Sequence, residues 1–293
     1  MRRYARDDID ATVREVTHLH HQAMYDANPA RARQSREMAL RLGRELLAVA
    51  SPGMQPMAWL TLSEWVYEMY GLLAHHVEAL AQAKRAWLAA SVMRPHPRDV
   101  EAFEGMRVNA GRLVIITLNN LGLARLAFRQ AGELYEDRAL QRAARYVHAP
   151  LTWDCLNAMA DLPRSSLRDA RKLREDADIT LMQKEADDFD ILAHALLGRS
   201  YAEVCITHGR YREAAANLPR DDAALDAIPH LGLPHRVMFL RTRARLLWKQ
   251  PQRDLEQWRS VMRQAVNIAR SAALYNELAE FERQYGADIL VAF

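Results

Sequence analysis

Two histidine-containing segments carry residue types that could bind a metal ion. In THLHHQ, His18 and His21 are three residues apart, so on a helix they share one face. His75 and Glu78 have the same spacing. Zinc sites need three or four strong protein ligands, and di-iron bundles need several Glu-x-x-His sets. Neither segment supplies them, so we expect no metal and no cofactor. A helical metal-dependent enzyme that uses these four residues is kept as an alternative.

Other catalytic signatures are missing from the sequence. There is no serine or cysteine on a glycine-framed turn, no glycine-rich phosphate loop and no dinucleotide fingerprint. Cys155 and Cys205 lack metal-ligand spacing, and each is expected to pack on a helix in a reducing cytoplasm. The sequence therefore predicts a protein without enzymatic activity.

Asn119 and Asn120 interrupt the most apolar segment, LVIITLNNLGLARLAF. An amide is costly to bury without partners, but it can bond both the C=O and the N–H of an extended peptide. The pair could therefore form an amide contact between core helices, or it could line a peptide-binding groove. Neighbouring residues differ by about 100° around a helix, so at most one amide can point squarely into a groove.

The segments that contain these residues are predicted to be helices. Ala, Leu, Arg and Glu dominate, β-branched runs are scarce, and the 293 residues include only 11 Gly and 11 Pro. Apolar spacing and breakers predict about 12 to 14 helices, with short links that form antiparallel hairpins. The predicted segments include 10–27, 29–50, 57–70, 99–130 with its end near Gly132, one ending at Ala149–Pro150, 178–207 with its end at Gly209, 235–248, 255–270 and 272–285.

Small residues recur on one face of several predicted helices, where a neighbouring helix can approach closely. The sets are Ala39/Gly43/Leu46, Ala79/Ala83/Ala86, Ala139/Ala143/Tyr146 and Ala265/Ala269/Ala272. This pattern is what stacked helical hairpins require.

The segment HGRYREA supports the same architecture. Gly209 is expected to end one helix, Tyr211 to pack at the turn, and Ala214 to lie where the next helix comes close. On these residues, on Leu121–Gly122 and on the small-residue sets, the chain resembles the tetratricopeptide-repeat (TPR) family. The resemblance implies an all-α fold, a right-handed superhelical stack of antiparallel helix hairpins.

The domain organisation follows from the same reading. Residues 1–7 form a basic lead or linker stub, and 8–293 form a single repeat domain with a looser region at 218–234. A capping helix and an apolar tail occupy 272–293. Because the tail at 289–293 is too apolar to be left in water, a scaffold that forms homo-oligomers through this helix and tail is a further alternative.

Charge and hydropathy narrow the class of partner. The chain has 40 basic and 37 acidic residues, a net charge of +3, and only four lysines, which leaves 36 arginines. The charges are mixed rather than gathered into a basic stripe, so we expect no direct nucleic-acid binding. No signal peptide or uninterrupted apolar span is evident, so we expect no membrane partner and a cytoplasmic location.

The TPR resemblance implies a concave groove, lined by the first helix of each pair, that binds a peptide or protein segment. The expected walls are 8–27, 57–70, 99–130 and 178–207. The candidate binding residues are Tyr67, Arg112, Asn119 or Asn120, and His194, because amides and guanidinium groups answer peptide backbone groups and aromatics supply contact area. A narrower hypothesis makes the chain the sensor part of a bacterial transcription regulator, with 1–7 leading from an upstream DNA-binding domain.

Overall fold

The computed structural model describes residues 6–53, 55–137, 147–162, 164–182 and 188–286, and within these ranges it contains fourteen α-helices and no strand. They are α1 (Arg6–Tyr25), α2 (Pro29–Leu47), α3 (Pro56–Leu72), α4 (His76–Val92), α5 (Val100–Asn120), α6 (Ala124–Glu136), α7 (His148–Ala160), α8 (Leu167–Met182), α9 (Asp188–Thr207), α10 (Tyr211–Ala216), α11 (Asp222–Asp226), α12 (Leu233–Lys249), α13 (Leu255–Ser271) and α14 (Tyr275–Tyr285). The predicted all-α class and helix number are confirmed. Among the described helices, none is both long and apolar enough to cross a lipid bilayer.

The same backbone turn ends four of these helices. At Gly209 (φ 69°), the amide of Arg210 bonds the carbonyl of Cys205 at 2.8 Å, and the amide of Gly209 bonds Ile206 at 3.1 Å. This pair of bonds defines a Schellman motif, which satisfies carbonyls at the helix end. The motif recurs at Gly122 (φ 72°), and also at two alanines with φ of 60° and 51°, Ala74 and Ala273.

The expected packing after the Gly209 turn is confirmed. Tyr211 begins α10 as a half-buried residue that packs against the core, and Ala214 is fully buried. The turn therefore reverses the chain and lays a small residue against its neighbour.

Three predicted helix boundaries are wrong. The segment 99–130 is two helices, because the chain turns at Gly122, whereas Gly132 lies inside α6. Segment 178–207 is also not one helix, because a single straight helix could not bring Asp178 within 3.0 Å of His194. The predicted helix end at Ala149–Pro150 lies instead in the first turn of α7, where a proline removes no intrahelical hydrogen bond.

The small-residue sets in the described part of the chain are buried as expected. Ala39, Gly43 and Leu46 on α2 are buried, and so are the sets on α4 and at the end of α13. A Cβ added at Gly43 would come within 2.6 Å of a methyl group of Val66 on α3, so the two helices meet where the side chain is absent. The set at 139–146 lies outside the described residues, as do residues 1–5 of the basic lead and the apolar tail at 289–293.

Alternate helices form a closed inner ring. Packing runs from α3 to α5, α7, α9, α12 and α14, and α14 packs in turn against α3. Helices α2, α6, α8 and α13 pack on the inner ones without lining the space they enclose, and α4 reaches it only with its first residue, His76. The C-terminal helices therefore meet the N-terminal ones.

Two contacts mark the place where the ring closes. Arg36 on α2 is fully buried, and its Nη1 donates to the carbonyls of Ala272 (2.7 Å) and Ala273 (2.9 Å). Gly232, just before α12, lies so close to α1 that an added Cβ would be 1.9 Å from the carbonyl oxygen of Met24. The ring can therefore close because the guanidinium of Arg36 bonds across it and because Gly232 has no side chain to keep α1 away.

Candidate functional site

The inner ring encloses a cavity of about 490 Å³. Its walls come from α3, α5, α7, α9, α12 and α14, with Met24 of α1 and His76 of α4. The charged side chains that line it are Glu68, Arg112, Asp154, Asp161, Arg199, Glu203, Arg241, Arg245, Glu277, Glu280 and Arg283. This size suits a small ligand or a few residues of peptide, although the walls are more polar than those of most ligand pockets.

One side of the cavity holds three carboxylates, Glu64, Glu68 and Asp154, which we call the acidic cluster. Glu64 lies behind the lining and accepts a hydrogen bond from the side-chain amide of Asn109. Arg112 donates to the side-chain oxygen of Asn109, and its Nε donates to Asp154 Oδ2 at 2.8 Å. Within the described ranges, Arg112 is therefore the one arginine that hydrogen-bonds to this side of the cavity.

The acidic cluster has perturbed proton affinities. Burial, reinforced by the charge of Glu68, raises the pKa of Glu64 to about 7. Burial also raises the pKa of Asp154 to about 6, although Arg112 opposes the shift. Burial would raise the pKa of Glu68 too, but His20, whose Nε2 lies 2.5 Å from Glu68 Oε2, outweighs it and the pKa is lowered.

A second group of charges surrounds Glu203, and we call its arginines, Arg199, Arg241 and Arg245, the basic cluster. Arg245 donates to Glu203 Oε2, and the hydroxyl of Thr242 donates to Oε1 at 2.6 Å. Burial would raise the pKa of Glu203, but these three arginines lower it to about 2. Glu203 is therefore ionised at neutral pH and shared among three cations.

Arg199 is the most buried member of the basic cluster, with 2% of its surface exposed. Its guanidinium donates to the oxygens of Asn157 (2.7 Å), Ser200 (3.0 Å) and Thr242 (3.3 Å), whereas the nearest carboxylate oxygen, on Glu203, is 4.0 Å away. Its Nε has no acceptor among the described residues. Burial lowers the pKa of Arg199 to about 10, which still leaves it charged at neutral pH.

The last described helix, α14, supplies carboxylates to the arginines of its neighbours. Arg241 lies 3.4 Å from Glu277 and 3.1 Å from Glu280. Arg283 pairs with Glu280 at 2.6 Å and reaches Asp161, after α7, at 3.4 Å. These contacts join α12, α14 and the end of α7 at the cavity wall.

Amide side chains along the lining have acceptor oxygens without donors. Asn119 donates from Nδ2 to the backbone carbonyl of Asp154 at 3.2 Å, but its Oδ1 is buried and unbonded in the described part of the chain. The same is true of Asn276 Oδ1 and Gln284 Oε1. Because an unbonded buried acceptor is costly, these atoms favour a ligand that brings N–H donors.

The structure brings together four of the five predicted binding residues. Arg112, Asn119 and Asn120 line the cavity, and Asn120 is exposed to it. Tyr67 also lines it, buried, with its hydroxyl 3.2 Å from that of Thr117, and burial raises its pKa. His194 lies elsewhere: its Nδ1 is 3.0 Å from Asp178 Oδ1 and half of its side chain is exposed.

Comparison with known proteins identifies no relative. No family model, curated protein or solved structure matches this chain.

The residues of the metal alternative lie apart from the cavity. His18 accepts a hydrogen bond from Gln22 at 3.0 Å, and the ring of His21 packs on Tyr25 at 4.8 Å. His75 and Glu78 are exposed at the start of α4. Within the described ranges, no group of three or more His, Cys, Asp or Glu side chains could hold a metal ion.

The sequence reasoning did not find the residues that α7, α12 and α14 bring to the cavity. These include Asp154, Asn157, Arg241, Arg245, Glu277 and Glu280. One signal was available: Arg199 and Glu203 are four residues apart on the otherwise apolar stretch of α9. Charges on one face of such a helix indicate a polar interior surface.

Proposed function

We propose that this chain is a non-catalytic binding protein that holds a short peptide in the cavity enclosed by the inner helices. The observation that carries the proposal is the set of buried amide oxygens without donors, on Asn119, Asn276 and Gln284, beside donor-rich arginines. A peptide presents both N–H and C=O groups at nearly every residue, so it can donate to the amide oxygens and accept from the arginines.

The pairing of the arginines argues against a phosphate or another polyanion as the ligand. Arg112 contacts Asp154, Arg245 contacts Glu203, and Arg241 contacts Glu277 and Glu280. An anion would have to displace these carboxylates or be repelled by them. A neutral or dipolar ligand has no such cost, and the amides and arginines can serve it together.

The TPR-like interpretation supports the same function. The repeated Schellman turns and the buried small residues are features that stacked helical hairpins share. We propose a TPR-like stack whose inner helices bind the peptide, and a role as the sensor part of a bacterial transcription regulator is its narrower form.

Affinity selection with a pooled synthetic tetrapeptide library, read by mass spectrometry, tests the proposal. We expect peptides to be retained by the parent protein. Asn120→Ala should weaken the best peptide by about tenfold, the equivalent of one hydrogen bond. Because Asn120 is exposed at the lining, its loss should leave the melting temperature unchanged. His194→Ala, outside the cavity, is the matched control and should bind like the parent.

Two results would count against peptide binding in the cavity. One is a library from which the parent protein selects nothing. The other is a selected peptide that binds the Asn120→Ala and His194→Ala proteins with the same affinity as the parent.

A further inference from the structure

The charges on the two sides of the cavity are arranged differently. The acidic cluster contains Glu64, Glu68 and Asp154, and among the described residues the one arginine that hydrogen-bonds with it is Arg112. The basic cluster places three arginines around Glu203; Arg241 also contacts Glu277 and Glu280, whereas Arg199 has Glu203 alone in the described ranges, at 4.0 Å. The acidic side belongs to α3 and α7, and the basic side to α9 and α12.

We infer that the ligand is a free zwitterionic oligopeptide, whose ammonium end faces Glu68 and Asp154 and whose carboxylate end faces Arg199. This rests on the proposed function and sharpens it, because a segment within a longer protein has neither charged end in the cavity. The chemical class is a short peptide with both termini unblocked.

The acidic side has one hydrogen-bonded arginine for three carboxylates among the described residues. Glu68 is bonded to His20, and Arg112 is divided between Asp154 and the side-chain oxygen of Asn109. Burial raises the pKa of Glu64 and of Asp154, and the neighbouring Arg112 opposes this rise without cancelling it. An ammonium group would favour their ionised forms.

An independent observation comes from hydrogen bonding on the same side. The Oδ1 of Asn119 is buried without a donor, while the Nδ2 of the same amide is held by the backbone carbonyl of Asp154. The amide cannot rotate to hide its oxygen without losing that bond. An ammonium, which carries three donors and no acceptor, fits an oxygen held in this way.

On the basic side, Arg199 makes no hydrogen bond to a carboxylate of the described residues, and the nearest one, on Glu203, is 4.0 Å away. Arg199 is a nearly fully buried cation at the cavity wall, yet each of its three hydrogen bonds goes to a neutral oxygen and its Nε has no acceptor in the described ranges. A buried guanidinium is normally paired. A carboxylate of the ligand supplies both the charge and the missing acceptor.

The two sides are close enough for a short molecule to reach both. The lining residue His235 is influenced by the charges of both Glu68 and Arg199, which act on its pKa in opposite directions, and the charge of Arg199 also acts on Asp154. Burial, the largest effect, lowers that pKa to about 4, so His235 is neutral near pH 7 and adds no charge of its own. The enclosed volume of about 490 Å³ limits the ligand to a few residues.

The experiment compares end groups on the tetrapeptide that the library selects, by isothermal titration calorimetry with the parent protein. Four forms are made: free, N-acetylated, C-amidated and N-ethylated. Acetylation removes the positive charge, whereas ethylation adds similar bulk and keeps it. We expect acetylation and amidation each to weaken binding at least tenfold, and ethylation to weaken it less than threefold.

Substitution of one cluster member assigns the ammonium end. Glu68→Gln should weaken the free peptide but leave the acetylated peptide unchanged, so the penalty for acetylation should shrink. His194→Ala should keep the full penalty. The melting temperature of each variant shows that it is folded, and the end-group series on the parent protein does not depend on any variant.

The outcomes separate this inference from the proposal on which it rests. Equal binding of the free, acetylated and amidated peptides would overturn the zwitterion and leave peptide binding in place. Undiminished binding of either the acetylated or the amidated peptide alone would also overturn it, because the protein would then not recognise that end of the peptide. Selection of no tetrapeptide would remove both.

Discussion

The guanidinium of Arg36 bonds the backbone carbonyl of Ala272 across 236 residues of sequence. The same Nη1 reaches Ala273, so a buried cation of α2 caps the C-terminal end of α13, where helix carbonyls carry partial negative charge. Because its burial lowers the pKa of Arg36 only to about 10, the cation persists at neutral pH. This contact fastens the N-terminal helices to the C-terminal ones.

Arg36→Met should therefore lower the free energy of unfolding by about 2–4 kcal/mol, because two charge-assisted bonds are lost and two carbonyls are left without that donor. Urea denaturation measures the change. Arg33→Met is the control on the same helix: Arg33 is 54% exposed and pairs with Glu37 at 3.1 Å, so its loss should cost much less than the loss of Arg36. Similar costs for the two variants would contradict the role given to Arg36.

Gly232→Ala and Gly132→Ala should change stability in opposite directions. A methyl group at Gly232 would lie 1.9 Å from the carbonyl oxygen of Met24, so the backbone must move to accommodate it. We therefore expect Gly232→Ala to lower the free energy of unfolding by about 1–3 kcal/mol. At Gly132, inside α6, nothing lies within 4 Å of the added atom, and alanine should stabilise the helix by about 0.5–1 kcal/mol. Thermal unfolding of the two proteins checks the signs; stabilisation by Gly232→Ala would show that α1 and α12 do not meet this closely.

The four Schellman turns predict another pair of opposite effects. Ala74 has φ of 60°, where an alanine is strained, so Ala74→Gly should stabilise the protein by about 0.5–1 kcal/mol. Gly122 has φ of 72° with open space around it, so Gly122→Ala should destabilise by about 1 kcal/mol through the backbone alone. Chemical denaturation in parallel tests both. A loss of stability in Ala74→Gly would mean that the methyl group contributes more than the strain costs.

Glu64 should make stability depend on pH. Its pKa is about 7 in the folded protein against an ordinary 4.5, so between these values the folded state binds more protons than the unfolded state. The free energy of unfolding should then fall as the pH rises from about 4.5 to 7. Glu64→Gln should remove this fall, raising stability by about 1–3 kcal/mol at pH 8 and by almost nothing at pH 4.

The control for Glu64 is Glu15→Gln, at an exposed position of α1. It should give the same difference from the parent at pH 8 and pH 4. Melting temperatures across this range report the result, and parallel pH profiles for the parent and Glu64→Gln would rule out the raised pKa.

The helices and their packing faces were accessible from sequence because they depend on local patterns. Apolar spacing placed α2, α3 and α13 within a few residues of their ends, and the turn at Gly209 was expected from its neighbours. Residue type could not separate Gly122 from Gly132. Both are glycines in apolar surroundings, and only the backbone bonds from Gly122 to Asn119 and from Leu123 to Leu118 show which one ends a helix.

The cavity could be predicted only on the side built from early helices. Asn119 and Asn120 were candidates because they interrupt an apolar stretch, and Tyr67 and Arg112 because aromatic and guanidinium groups on the expected groove helices suit a peptide; all four line the cavity. Arg241 and Glu277 were not, since their meeting depends on ring closure, which places α14 against α3. No local pattern reports such a long-range contact. His194 was selected for its residue type, and α9 turns it toward Asp178 instead.

Ring closure has a consequence for how the protein folds. In an open row of hairpins each unit contacts only its neighbours, so an end can fray while the rest persists. Here α1, α2 and α3 contact α12, α13 and α14, so fraying at either end breaks contacts at both. The first and last units should therefore be lost and gained together. Contacts between parts so distant in sequence pay a loop-closure entropy before they form, so the cavity should be completed in a late, slow step of folding.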